Sequence, residues 1–494
     1  MSRQKINIEL TDQITGGLKS VICECMLFRP PFLVTGIGGY CCSYFPVSGV
    51  PVIICKEEER ERKMSYDFDT LKVQGGYDAS LHNNAVSVPI YQTAAFGLGD
   101  SYRADRLFSF SEDDPIYTRL SNPTVDILEK RLAALHGAAG AIALASGMAA
   151  VSYALLNAAG KGGRILTTAR LYGGTVDAFT SIFPDIGLEI DIIENPDDVS
   201  AFERGLKPNT RAIYIESLTN PFATIPDMEK IAGIAHSRKI PLIVDNTIAT
   251  PYLLNPFEYG ADVVVYSATK GLSGHGNVIA GAVIESGKFN YGSGNFPHFE
   301  QPLWFLRGTD NIERNILQVF PKTPFTGRLR AVHLNYLGAA LSPFDAYLVL
   351  LGLETLSERV SKQVANALAV IQYLENSPHV KWVCHPAAKN NPYKSLAEKY
   401  FPKGAGGVLS FGFKGTEEEK RRFLAATKVF GYQANIGDAR SLIINPTETT
   451  HVELTPGQRE LVGLGTDTIR LSLGLESPKD LIADLEQAFK EVFG

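Results

Sequence analysis

Between residues 126 and 270 the chain alternates short apolar runs with helical or glycine-marked segments. Residues 125–136 read as a helix, with Leu128, Leu132 and Leu135 on one face. Then come 141-AIALA-145, 164-RILTT-168, 188-LEIDII-193, 211-RAIYIE-216, 240-IPLIVDN-246 and 262-DVVVYS-267. Each is too short for a buried helix and rich in β-formers. Strands spaced by helices predict βα units and a mostly parallel sheet. After about residue 337 the rhythm changes. A long helical stretch over 343–375 precedes 407-GVLSFGF-413 and 468-TIRLSLG-474, and 478-PKDLIADLEQAFKEVF-493 closes the chain. The expected fold class is α/β: a large domain over 126–336 built on the parallel sheet, and a smaller α+β domain over 337–494.

Residues 1–63 differ in character from the rest of the chain. The piece 26-MLFRPPFLVTGIGGYCCSYFPVSGVPVIIC-55 is apolar but keeps no period of 2 or 3.6, and Arg29, prolines and glycines interrupt it. Its charged start lies too far from a broken apolar core for a signal peptide. The run 56-KEEERERK-63 reads as a solvated charged stretch. Two origins are open: a targeting or regulatory extension, or a start assigned upstream of Met64. The second is favoured.

The 494 residues carry a formal net charge of −6. No broad basic surface calls for nucleic acid or anionic lipid. No apolar run reaches the roughly 18 residues that span a bilayer. A cytoplasmic protein is expected. Five of the six cysteines, Cys23, Cys25, Cys41, Cys42 and Cys55, fall in the first 63 residues, and Cys384 stands alone. Their spacing matches no common zinc pattern, so no metal is expected.

Four stretches carry candidate chemistry, each with an ordinary alternative. In 145-ASGMAA-150 a strand ends in a Ser-Gly turn and a small-residue helix begins. Its free N–H groups would hold an anion, and Gly147 would let a phosphate approach the backbone; such turns also occur with no ligand. Asp245 ends a hydrophobic strand, where a carboxylate needs a cation; a helix cap or a metal ligand are the other readings. In 266-YSATKG-271, Ser267 and Thr269 offer hydroxyls beside Lys270. A desolvated lysine has a lowered pKa and can form a Schiff base, although Ser/Thr-x-Lys usually means nothing. In 171-LYGGT-175 the ring of Tyr172 could stack on a flat cofactor, or be a turn tyrosine. The order of the four converges on one ligand, pyridoxal 5′-phosphate (PLP).

Together with 89-PIYQTAAF-96, 117-YTRLSNPT-124, 216-ESLTNP-221, 352-GLETL-356, 435-NIGDARSLI-443 and 470-RLSLGLE-476, these stretches resemble the Cys/Met-metabolism family of PLP enzymes, the γ-family of fold type I. The resemblance runs from about residue 64 to the C-terminus. It implies that Lys270 holds the cofactor and shuttles protons, with Tyr172 stacking on the ring and assisting. Asp245 would pair with the pyridine nitrogen, and Asn220 would lie near the ring hydroxyl. Gly147, Met148, Ser267 and Thr269 would hold the phosphate. Arg470 would grip the substrate α-carboxylate, with Ser441 nearby. An ion pair for Arg470 and a turn role for Asn220 are the bland alternatives. Tyr117 and Arg119 resemble the pair donated by a neighbouring subunit, Tyr117 also reaching substrate. Residues 64–125 would then be an arm serving the neighbour's site, and the protein a homodimer or homotetramer. His275 and Asn277 are left without a role.

Within the family, 281-GAVIESGKFNYGSGNFPHFEQP-302 and 435-NIGDARSLIINPTETTH-451 resemble the O-acetylhomoserine sulfhydrylase branch. The reaction it implies is γ-replacement: an amino-acid ester and sulfide or a thiol give homocysteine or methionine and acetate, a step of methionine biosynthesis. Tyr172-Gly173-Gly174-Thr175 lacks the cysteine usual in methionine γ-lyase. Cystathionine γ-synthase or γ-lyase chemistry is the alternative, and a non-catalytic scaffold the remote one. Two departures, Gly271-Leu272-Ser273 before His275 and Leu351 before the Gly-Leu-Glu, bear on specificity.

Overall fold

The computed structural model describes residues 40–47, 50–57, 66–452, 455, 457, 459 and 462–494. It divides into two units, residues 1–65 and 66–494. The first contains an antiparallel pair, β1 (Tyr40–Val47) and β2 (Val50–Glu57), in register from Tyr40 opposite Glu57 to Val47 opposite Val50. This pair was not expected, because the stretch alternates too irregularly to announce strands. Cys23 and Cys25, and the charged run from residue 58 on, lie outside the described residues.

The second unit carries two sheets. The larger has seven strands: β3 (Gly140–Leu144), β4 (Arg164–Thr168), β5 (Glu189–Ile193), β6 (Thr210–Glu216), β7 (Leu242–Asp245), β8 (Val263–Ser267) and β9 (Gly281–Glu285). Their order is β3-β9-β8-β7-β6-β4-β5. The pairs from β8 through β7, β6 and β4 to β5 are parallel, and β9 runs antiparallel between β3 and β8. The six predicted runs are the six parallel-running strands. β9 escaped notice because 281-GAVIE-285 follows a glycine-rich segment.

Helices cover the sheet, which explains the near-continuous apolar runs. Ile213, Val244, Val263, Val264, Val265 and Val283 are fully buried. The helix Gly147–Ala159 packs on β6, β8 and β9. The helix Pro123–His136 starts where Asn122 accepts the Thr124 N–H and Pro123 presets φ. It ends at Gly137, whose φ of 59° is the left-handed conformation that suits glycine. The buried His136 bonds the Tyr266 hydroxyl at 2.8 Å, tying this helix to β8.

The smaller sheet comprises β10 (Val380–Cys384), β11 (Val408–Phe413), β12 (Gly431–Tyr432), β13 (Leu442–Ile444) and β14 (Thr468–Ser472), in the order β10-β11-β14-β13-β12. It has its own apolar cluster, in which Phe411, Phe413, Phe423, Leu471, Leu485 and Phe489 meet. The closing helix Pro478–Phe493 lies where expected. The expected helical stretch over 343–375 is made of two helices, Pro343–Glu354 and Leu356–Asn376, divided at Thr355. The buried Arg359 donates to the carbonyls of Gly271 and Gly352 beside that break. No helix among the described residues is long and apolar enough to cross a membrane.

Candidate active site

In a parallel sheet, chemistry gathers at the carboxyl ends of the strands. β6 ends at Glu216, β7 at Asp245 and β8 at Ser267, three residues before Lys270. Glu216 and Asp245 stand in register on neighbouring strands.

Lys270 follows the turn in which its N–H donates to the Ser267 carbonyl at 3.1 Å. Its Nζ donates to Oδ1 of Asn435 at 2.6 Å. Burial, and then the charge of Arg470, lower its pKa to about 8. Asp245 accepts the Thr247 N–H at 2.9 Å and the Tyr214 hydroxyl at 3.3 Å. Burial raises its pKa. Among the described residues no cationic side chain pairs with it.

Arg470 on β14 is buried. Nη1 donates to Oδ1 of Asn220 at 3.2 Å and Nη2 to the Asn435 carbonyl at 2.9 Å. Nε has no partner, and no carboxylate neutralises the guanidinium among the described residues. Burial lowers its pKa to about 10. The ion-pair alternative for Arg470 thus finds no support among the described residues. A buried cation with an unused donor fits an incoming carboxylate.

The helix Gly147–Ala159 opens at Ser146, which caps it by accepting the Ala149 N–H. A Cβ on Gly147 would lie 2.6 Å from Ser267 Cβ. That glycine therefore lets the helix N-terminus, with Met148, close on Ser267. Thr269 Oγ1 accepts the Ala280 N–H at 2.9 Å and fixes the segment after β8. Helix N–H groups beside hydroxyls make a cradle for a dianion.

Tyr172 precedes the helix Gly173–Thr180 and is 44% exposed. Its N–H donates to Glu216. Asn220 is buried, with its N–H also on Glu216, at 3.3 Å. The structure thus joins Lys270 and Arg470 through Asn435, joins Arg470 to Asn220 directly, and links Tyr172 with Asn220 through Glu216. Ser441 sits apart from that network. Its hydroxyl donates to Glu476 at 2.7 Å and accepts the Gly474 N–H at 2.8 Å. Tyr117 and Arg119 are exposed, the guanidinium 5.4 Å from the Tyr117 ring centroid. No hydrogen bond among the described residues joins either to Lys270, Asp245 or Ser267.

Asn435 and Glu216 were missed as site residues. Both begin stretches that carried the family resemblance, and that placement was the only signal. His275 and Asn277 serve locally: His275 Nδ1 meets the Ser273 carbonyl, and Asn277 accepts from the Ser273 hydroxyl. The described residues contain no cluster of metal-ligating side chains.

A cradle for a dianion, a carboxylate needing a cation, a lysine of lowered pKa and an unneutralised guanidinium fit pyridoxal 5′-phosphate and an α-amino acid. Known proteins agree. A sulfhydrylase named FUB7 from Gibberella moniliformis is 40% identical over 431 residues, 87% of this chain and 98% of its own. The O-acetyl-L-homoserine sulfhydrylase of Leptospira meyeri is 38% identical over 433 residues, 86% of this chain and 97% of its own. A crystal structure of an O-acetylhomoserine (thiol)-lyase from Campylobacter jejuni, solved with N′-pyridoxyl-lysine-5′-monophosphate, superposes with a TM-score of 0.82 at 40% identity. It covers 86% of this chain and all of that one. The family model matches residues 69–490, and the chain belongs to the Cys/Met metabolism PLP-dependent enzymes.

Proposed function

We propose that this enzyme replaces the γ-acetoxy group of O-acetyl-L-homoserine with sulfide, releasing L-homocysteine and acetate. The Cγ–O bond breaks, acetate keeps the electron pair, and sulfur bonds to Cγ. The observation that carries the reading is the buried Arg470 guanidinium, with Nε unpartnered, sharing Asn435 with Lys270. It would set an α-carboxylate site beside an amine whose pKa is lowered to about 8.

When bound, PLP supplies an electron sink for charge left at the substrate's Cα and, in turn, Cβ. Lys270 would hold the cofactor through its amine and, once displaced by substrate, carry protons at Cα and Cβ. Asp245 would pair with the pyridine nitrogen, which gives its buried carboxylate the cation it needs. Gly147, Met148, Ser267 and Thr269 would hold the phosphate. Tyr172 would cover the ring, and Asn220 would lie at its edge. Arg470 would fix the α-carboxylate through a charge-assisted contact. Ser441 would support that end of the site by bracing the turn around Gly474.

Tyr117 and Arg119, on the proposed arm over 64–125, would complete the phosphate site of a neighbouring subunit, and Tyr117 would also touch its substrate. Their exposure supports this. The protein would then work as a homodimer or homotetramer, its large domain over 126–336 and small domain over 337–494 closing each site. A cytoplasmic setting belongs to the same reading, supported by the small metabolites involved.

The test is product analysis with PLP-loaded enzyme, O-acetylhomoserine and either sulfide or cysteine. Homocysteine with sulfide, and little cystathionine with cysteine, is expected. Cystathionine as the main product would move the enzyme to γ-synthase chemistry.

A further inference from the structure

Glu216 has no role in the reaction proposed above, yet it occupies the middle of the site. It is the last residue of β6, directly in register with Asp245, the last residue of β7. Partners in register on parallel strands point to the same face of the sheet. Its carboxyl is buried and accepts two backbone N–H groups from two separate loops. One is that of Tyr172, after β4; the other is that of Asn220, after β6.

These two bonds matter because of what the loops carry. The Tyr172 N–H lies at the start of the helix Gly173–Thr180, where backbone donors lack partners within the helix. An acidic group there is favoured by the helix dipole as well. Tyr172 itself makes no side-chain capping bond. It is half exposed, so the direction of its ring depends on the backbone that Glu216 holds. Asn220 spends its amide oxygen on Arg470, so its position bears on the carboxylate site.

We propose that Glu216 is a positioning residue that aligns the Tyr172 ring and the Asn220 amide over Asp245, setting the pose of the bound cofactor. The proposal rests on the PLP site assigned above. It explains why an acid is used at a buried place beside another acid. Only a carboxyl offers two acceptor oxygens; a glutamine would turn an N–H donor toward the Asn220 N–H. Burial, and then Asp245, push the Glu216 carboxyl well above the usual carboxylate range, a cost the two N–H bonds oppose.

The experiment compares Glu216→Gln with wild type as full-length, PLP-loaded protein. The readouts are induced circular dichroism of the PLP band, the PLP dissociation constant of the apoprotein, and kcat with KM. With the melting temperature preserved, the variant should lose at least half of the induced dichroism. Its PLP affinity should fall roughly tenfold, the scale of one buried hydrogen bond lost. In a Tyr172→Ala background the same substitution should cost distinctly less affinity than in wild type, because only the Asn220 branch remains. Wild-type dichroism and affinity in Glu216→Gln would overturn the proposal, as would full additivity with Tyr172→Ala. If Glu216→Gln does not fold, Glu216→Asp, which keeps the carboxyl group but has a shorter reach, is read by the same dichroism and is expected to lose it in part; full wild-type dichroism there overturns the proposal too. A wild-type protein with no Lys270-dependent PLP band would instead sink the site assignment itself, and this inference with it.

Discussion

Lys270 donates through Nζ to the amide oxygen of Asn435 at 2.6 Å, so the hydrogen-bond partner of this half-buried ammonium is neutral. No acid among the described residues compensates it, while Arg470 repels it. Burial, and then that repulsion, favour the uncharged amine, the form that can attack a carbonyl.

Recombination of the apoprotein with PLP should therefore speed up as pH rises. With a pKa of about 8, the neutral fraction of Lys270 grows as pH approaches that value and levels above it. The recombination rate should climb by about tenfold per unit well below the pKa and then flatten. A profile that keeps climbing through pH 9 and above without flattening would rule out the lowered pKa.

Substituting Arg470 should act in two ways. Arg470→Gln should raise KM for O-acetylhomoserine by roughly 10- to 100-fold, the loss of a charge-assisted carboxylate contact. Removing the positive charge should also raise the Lys270 pKa, shifting the recombination profile to higher pH. Steady-state kinetics and the recombination series check the two effects separately. An unshifted profile would mean that Arg470 does not influence Lys270.

Arg119→Ala and Lys270→Ala should each be inactive alone and complement one another when mixed through an unfolding and refolding step. If Arg119 serves the neighbouring subunit, a mixed dimer has one site with both native residues. Random assortment puts half of the dimers in that form, so up to about a quarter of wild-type activity should return. No recovery, with mixed dimers verified by mass spectrometry, would place Arg119 in its own subunit's site, and an active Arg119→Ala alone would place it outside both.

Gly147→Ala should weaken PLP binding by roughly tenfold or more, because its Cβ would fall 2.6 Å from Ser267 Cβ and force the helix N-terminus away. Gly233→Ala is the matched control. It lies inside the helix Met228–Ser237 with nothing within 4 Å of the added carbon. It should leave PLP affinity alone and stabilise the fold by about 0.5–1 kcal/mol. PLP titration and thermal melts of both variants decide the matter. Equal PLP affinity in the two would mean that the approach of Gly147 to Ser267 is not needed for binding.

The sequence by itself determined the parallel strands and which residues end them. The runs at 164–168, 211–216, 240–246 and 262–267 are apolar because both faces of that sheet are covered, so burial writes a local signal. The caps of the helix Pro123–His136 are local too. Motif order then marked Gly147, Tyr172, Asp245 and Lys270 as a set. What pattern could not give was anything resting on contacts between distant segments. The two helices divided at Thr355 read as one helical stretch, since Arg359 reaches carbonyls 88 and 7 residues away to hold the break. Asn435 meets Lys270 across 165 residues, and Glu216 reaches Tyr172 across 44. Neither spacing has a period to betray it. Those bonds exist only once β4, β6 and β8 share one sheet and the segment between β12 and β13 meets the residues after β8. The chain thus states which chemistry it carries, and the packed sheets decide which groups share protons and hydrogen bonds, because low-dielectric contact between remote residues is a property of the fold.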